Sequence, residues 1–173
     1  MRVVVQKVTE AAVLVGGEII GEIGKGFMLL VGIGKEDAQE DVCYLARKVA
    51  NLRVFEDEEG KMNRSLKDVG GDILSISQFT LFADTKKGNR PSFINAAAPE
   101  TGEALYQEFN ERLRAEGFSV ASGKFGAHMA VSLVNDGPVT IIIDSKNKEQ
   151  SLQLEPLAVQ AADSVFLMAS FTG

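Results

Sequence analysis

The chain holds a single cysteine, Cys43, and a single histidine, His128, among 173 residues. One thiol excludes an intrachain disulfide, and one thiol with one imidazole cannot complete a Cys/His metal centre. Redox and zinc chemistry therefore fall away, and no cofactor is expected. Long apolar runs are missing too: the longest, Phe27 to Val31 with Ile33 beyond Gly32, falls far short of the about 20 residues that cross a bilayer. The opening MRVVVQKV has neither the length nor the cleavage site of a secretory signal. The expectation is a soluble, cytoplasmic protein with no membrane partner. Positive charge is scarce as well. A net charge of −6 argues against broad, non-specific nucleic-acid binding, which needs many cations to displace counterions from phosphate. Two small basic groups remain, Lys86 with Lys87 and Arg90, and Lys61 with Arg64. Each suits either an RNA phosphate or an ordinary solvated loop.

What is present reads as one domain, long enough to bury most of its apolar surface without covalent staples. Residues 2 to 8 alternate weakly as a strand, and Ala11 to Val15 and Glu18 to Ile20 flank Gly16-Gly17, a dipeptide suited to a tight hairpin. Phe27 to Ile33 is apolar on both faces, as in a strand buried on both sides. From Asp37 to about Asn51, Val42, Leu45 and Val49 share one helical face, with Glu40 and Asp41 early and Arg47 and Lys48 late, complementing the helix dipole. Leu52 to Phe55 and Met62 to Leu66 bracket a turn, and Asp72 to Leu81 alternates as a further strand with a small, polar second face. A second helix is predicted from near Pro99, through Leu105, Phe109 and Leu113, to Gly117. Met129 to Val134 and Val139 to Ile143 read as two strands joined by a turn at Asn135-Asp136-Gly137-Pro138. Beyond about residue 145 a polar run leads into a tail that a helix, a strand or a disordered appendage would fit equally.

Catalytic templates mostly fail. There is no P-loop and no GxSxG elbow; a Ser-His-Asp triad would need His128, which in GAHMAV reads better as a partly buried packing residue. No carboxylate pair stands in an apolar setting that would separate two pKa values, and Asp57, Glu58 and Glu59 look like a solvated turn. Two segments stay unusual. Ser77-Gln78-Phe79-Thr80-Leu81 puts three polar side chains into an apolar strand, and Asn135 to Thr140 carries the Gly-Pro turn. Taken singly, these fit a strand terminus with satisfied polar groups and an ordinary hairpin turn.

Together, SQFTL at 77–81 and NDGPVT at 135–140 resemble the two signature motifs of the D-aminoacyl-tRNA deacylase family. VVQKVTEAAV, LRVFEDEEGKMN, GNRPSF and GKFGAHMAVSLVNDGPVT resemble family positions in family order, over residues 1 to about 144. A related animal class has PQATL at the first motif, so Phe79 favours the D-specific branch. The resemblance implies an α+β fold with a β-rich, barrel-like antiparallel or mixed sheet and two main helices. It also implies a deacylase domain over 1–145, with 146–173 as an extension about which it says nothing. It further implies a homodimer in which the first motif of one subunit meets a cis Gly137-Pro138 from the other, with both carbonyls accepting from the substrate ammonium. Only the hydrogen and side chain at Cα could then exchange places between enantiomers, and an L side chain would strike a carbonyl oxygen. Many D-aminoacyl-tRNAs would be hydrolysed, and achiral glycine mischarged on tRNA(Ala) would be accepted too. The implied roles are oxyanion stabilisation and positioning by the backbone around Gln78, Phe79 and Thr80, and substrate binding by Ser77, Gly137 and Pro138. Lys86, Lys87 and Arg90 would contact tRNA. Thr80 as a nucleophile is the rival to Thr80 as a positioning group. The family usually has arginine at position 7 to brace the Gly-Pro loop; Lys7 keeps the charge and loses the bidentate fork. Two other readings remain: editing of a non-cognate L-aminoacyl-tRNA, and a non-catalytic nucleic-acid-binding protein using Thr85 to Arg90.

Overall fold

A computed structural model describes residues 1–148; nearly all of the tail, 146–173, lies outside the described residues. Among the described residues, eight strands and two α-helices follow in the order β1 (Arg2–Val15), β2 (Glu18–Ile23), β3 (Gly26–Gly32), α1 (Gln39–Ala50), β4 (Arg53–Glu56), β5 (Met62–Ser65), β6 (Asp72–Ser77), α2 (Pro99–Ala115), β7 (Val120–Ser122) and β8 (Ala130–Asp144). The fold class is the expected α+β. The main sheet runs β2-β1-β3-β6-β7, with β8 on the other side of β1, and β4 and β5 form a separate hairpin. The β1, β2, β3 and β8 pairings are antiparallel, whereas β6 lies parallel to both β3 and β7.

The sheet curls into a nearly closed barrel because β2 approaches β7. A Cβ at Gly21 would lie 3.2 Å from the Ser122 carbonyl oxygen, so the missing side chain leaves room for that approach. The curl separates two cores. Val8, Ala11, Val13, Met28, Leu74 and Ile76 fill the barrel interior. The opposite face carries Val3, Val5, Phe27, Leu29 and Val31 against Val42, Leu45 and Val49 of α1 and Tyr106, Phe109 and Leu113 of α2. Residues 26–31 alternate between these cores, which is why β3 is apolar on both faces. The Gly16-Gly17 hairpin forms with both glycines at positive φ, and α2 ends as expected near Gly117, also at positive φ.

Two expectations fail in instructive ways. The strand starting at Asp72 stops at Ser77, and residues Phe79–Phe82 form a 3-10 turn. Residues 129–143 do not form a hairpin. They form one strand whose two halves both pair with β1: Ile141 to Asp144 opposite Arg2 to Val5, and Ala130 to Asn135 opposite Val8 to Leu14. Both halves are needed to follow β1 between the cores: Val139, Ile141 and Ile143 pack on the helix side, whereas Val131 and Leu133 pack inside the barrel.

The start of α1 is held by an unusually acidic carboxyl. Asp41 is buried, which by itself would raise its pKa. Hydrogen bonds from the Ser145 hydroxyl, the Ala38 N–H (2.9 Å) and the Lys146 ammonium (2.9 Å) outweigh burial and lower it to about 2. The folded value lies below the unfolded one of about 3.9, so the carboxylate's contribution is complete above that value and disappears as pH falls through about 2. Acid unfolding followed by circular dichroism is expected to show stability lost across this window, a loss that Asp41→Asn should reduce.

Candidate active site

The site begins where β6 ends. Gln78 N–H donates to the Val31 carbonyl oxygen at 2.8 Å, the last tie to β3, and the chain then turns. Gly32 permits the turn to pack closely: a Cβ there would lie 3.0 Å from both the Gln78 carbonyl oxygen and Leu81 Cβ. Leu81 N–H bonds back to Gln78 O at 3.2 Å and Ala83 N–H to Thr80 O at 3.0 Å. The N–H groups of Phe79 and Thr80 have no hydrogen-bond acceptor among the described residues. Of the three backbone donors expected in this motif, the sheet thus occupies that of Gln78. The Gln78 side-chain amide donates to Thr80 Oγ1. An amide donor cannot take a proton from that hydroxyl, so this contact supplies Thr80 with no general base.

Ser77, Gln78 and Phe79 form one wall of a cleft of about 550 Å³ whose other walls include Phe93, Phe125, His128 and Met129. The Phe79 ring, 58% exposed, meets Phe93 edge-on with centroids 5.0 Å apart. Gly123 leaves space for Met129, whose sulfur would lie 2.5 Å from a Cβ at that position. His128 is exposed and lines the cleft, contrary to the expected packing role, because it precedes β8 on an open stretch instead of lying within the strand. Sequence reasoning misses Phe93, Phe125 and Met129 as site residues: they lie in two loops, one before α2 and one between β7 and β8, outside any periodic element.

Gly137 and Pro138, both exposed, do not line this cleft. They lie on an excursion of β8 in which Asp136, Gly137, Pro138 and Val139 stand opposite the single residue Lys7. The Gly137-Pro138 peptide is cis, and Gly137 has φ +127°. Lys7 is buried, its Nζ 3.7 Å from Asp136 Oδ2 and 5.4 Å from the Phe55 ring centroid. Lys86 lines a different cavity, with Arg2, Asp84 and Lys146, while Lys87 and Arg90 are exposed on a loop closed by an Asp84–Ser92 bridge.

An apolar cleft walled on one side by the polar end of β6, on this α+β barrel, suits a substrate that carries both apolar and polar groups. The pattern of the D-Tyr-tRNA(Tyr) deacylase family matches residues 4–144. D-aminoacyl-tRNA deacylases of Bacillus cytotoxicus and Thermus aquaticus are 60% and 59% identical, over 84% and 86% of this chain and 100% and 97% of theirs. Among solved structures, the c-Myc DNA Unwinding Element Binding Protein matches with TM-score 0.78 and 47% identity, over 83% of this chain and 98% of that one. A probable eukaryotic D-amino acid tRNA deacylase shares the fold, with TM-score 0.71 at 21% identity over the same shares. The chain belongs to the D-Tyr-tRNA(Tyr) deacylase family. It is a hydrolase acting on carboxylic esters, with aminoacyl-tRNA as the substrate its family implies.

Proposed function

We propose that the chain hydrolyses D-aminoacyl-tRNA as a homodimer, with each cleft completed by Gly137-Pro138 of a second copy, and thereby proofreads translation in the cytoplasm. The observation that carries this reading is a separation: Ser77, Gln78 and Phe79 line a cleft, and Gly137-Pro138 lies on an exposed excursion that takes no part in lining it. A second copy brings the two together. The strand that bears the excursion pairs only with β1 among the described residues and exposes Val134 and Ile142, apolar surface suited to burial between copies.

Phe79, Phe93, Phe125 and Met129 offer flat apolar surface for the terminal base of tRNA, since base stacking on aromatic side chains is worth about 1–3 kcal/mol. Lys86, Lys87 and Arg90 lie on a loop whose cations suit the RNA phosphates. The ester carbonyl faces Ser77 to Thr80, and its developing oxyanion takes the Phe79 and Thr80 N–H groups, each such donor contributing about 2.7–4 kcal/mol in other enzymes. Water adds to the carbonyl carbon, the bond to the ribose 3′-oxygen breaks, and the neighbouring 2′-hydroxyl positions the water. The Gly137 and Pro138 carbonyls hold the substrate ammonium and exclude an L side chain, whereas glycine carries no Cβ to exclude and glycyl-tRNA(Ala) is accepted. Lys7 supports this loop through Asp136.

The test is release of amino acid from D-Tyr-tRNA and L-Tyr-tRNA, with wild type and Thr80→Ala. Hydrolysis of the D ester alone is expected, and Thr80→Ala should keep its kcat within about tenfold of wild type, the loss of one orienting contact. Loss of nearly all turnover in Thr80→Ala would assign the hydroxyl a nucleophilic role. The 47% identity to a DNA-unwinding-element-binding protein favours a second reading, nucleic-acid binding without catalysis. Binding of tRNA or DNA with every D ester spared would establish it.

A further inference from the structure

We infer that Gln6, on β1, is a positioning residue for chiral selection and the main anchor of the Gly137-Pro138 excursion. This inference rests on the proposed contact between Gly137-Pro138 and the substrate. Gln6 stands opposite Thr140, the first residue after the excursion that pairs again with β1, and Asn135 is the last before it. The Gln6 side-chain oxygen accepts hydrogen bonds from both ends of the excursion: from the Asn135 amide nitrogen and, at 2.5 Å, from the Thr140 hydroxyl. Asn135 also donates to Thr140 Oγ1 at 3.2 Å, and its own oxygen accepts the Val139 N–H at 2.9 Å. One acceptor on β1 therefore ties together the two points where the excursion leaves and rejoins the strand.

The neighbouring Lys7 does less than its charge suggests. Its ammonium is 3.7 Å from Asp136, beyond hydrogen-bonding distance, and meets the excursion at one end only. The network also constrains the chemistry of position 6. Both groups facing the Gln6 oxygen are donors, so a carboxylate serves in its place and an apolar side chain of similar size does not.

The experiment compares wild type, Gln6→Glu, Gln6→Leu and Lys7→Met as full chains, measuring kcat and KM on D-Tyr-tRNA and L-Tyr-tRNA together with thermal midpoints. Gln6→Leu is expected to lower the D-to-L ratio of kcat/KM by about 10- to 100-fold, with KM for the D ester within about threefold of wild type. Gln6→Glu should restore the ratio to within about threefold, and Lys7→Met should lower it less than Gln6→Leu does. A general loss of stability would depress both esters equally and leave the ratio unchanged; that result overturns the proposal, as does a Gln6→Glu variant no better than Gln6→Leu. If Gln6→Leu does not fold, Thr140→Val removes one of the two donors and must lower the same ratio for the proposal to stand. A wild type inactive on D-Tyr-tRNA would instead refute the substrate assignment beneath it.

Discussion

Gly137→Ala is expected to reduce kcat/KM on D-Tyr-tRNA about 100-fold while the protein stays folded. Gly137 has φ +127°, a region that side-chain-bearing residues rarely adopt. A Cβ there would also lie 2.8 Å from Val139 Cγ2 and 3.1 Å from Val139 N. Val139 has little freedom to yield, because its N–H is bonded to Asn135 Oδ1 and its side chain packs against the helix-side core. The displacement therefore falls on Gly137 and Pro138 themselves. Both are exposed and outside the core, so the stability loss should be about 1–3 kcal/mol, a few degrees of midpoint for a chain of this size. Deacylation kinetics beside a thermal melt separate the two effects. Near-wild-type turnover of the D ester by a folded variant would falsify the assignment of these carbonyls to the substrate.

Gly26→Ala should have the largest effect on stability, about 3 kcal/mol or more, enough to lower the midpoint by about 10 °C. A Cβ at Gly26 would lie 1.9 Å from the Asp72 carbonyl oxygen and 2.8 Å from its C and N. These are backbone atoms of the first β3–β6 pair, which cannot rotate away as a side-chain tip can. Gly71, next to Asp72, is confined less tightly: a Cβ there would lie 2.4 Å from the movable Leu66 Cδ1 and 3.2 Å from Gly26 Cα. Separating β3 from β6 also moves the site, because β6 leads into Ser77 and the Gln78 N–H hangs on Val31 of β3. Loss of activity should therefore accompany the loss of stability. Gly24→Ala is the control: a Cβ there has no neighbour within 4 Å, and denaturant melts should leave it close to wild type.

The two helices were legible because their signals are local. Val42, Leu45 and Val49 lie one helical turn apart and all three are buried. Residues 26–31 were legible for a related reason, since a strand facing two cores must be apolar throughout. Phe79 was less so. Its place in a 3-10 turn depends on β6 ending at Ser77, whereas alternation through Leu81 suggested more strand. At Gly137 the sequence predicts a hairpin in place of the excursion, because Asn-Asp-Gly-Pro has the same chemistry in a reversal as in a bulge. Which of the two forms depends on the partner, and β1 is 14 residues long, enough to pair with both halves of β8.

By itself, then, the sequence determined what neighbouring residues decide among themselves: the helices, the Gly16-Gly17 turn, the unusual polarity of Ser77 to Thr80, and a pair of motifs specific enough to indicate the family. The tertiary structure alone decided what depends on residues distant along the chain. It brought Phe93, Phe125, His128 and Met129 to one cleft, engaged the Gln78 N–H with Val31, and set Gln6 against Asn135 and Thr140, 129 and 134 positions away. Periodicity reports which face of an element is apolar, but it carries no record of which other element will cover that face. The site, assembled from a strand end and the loops between elements, is where that information matters most.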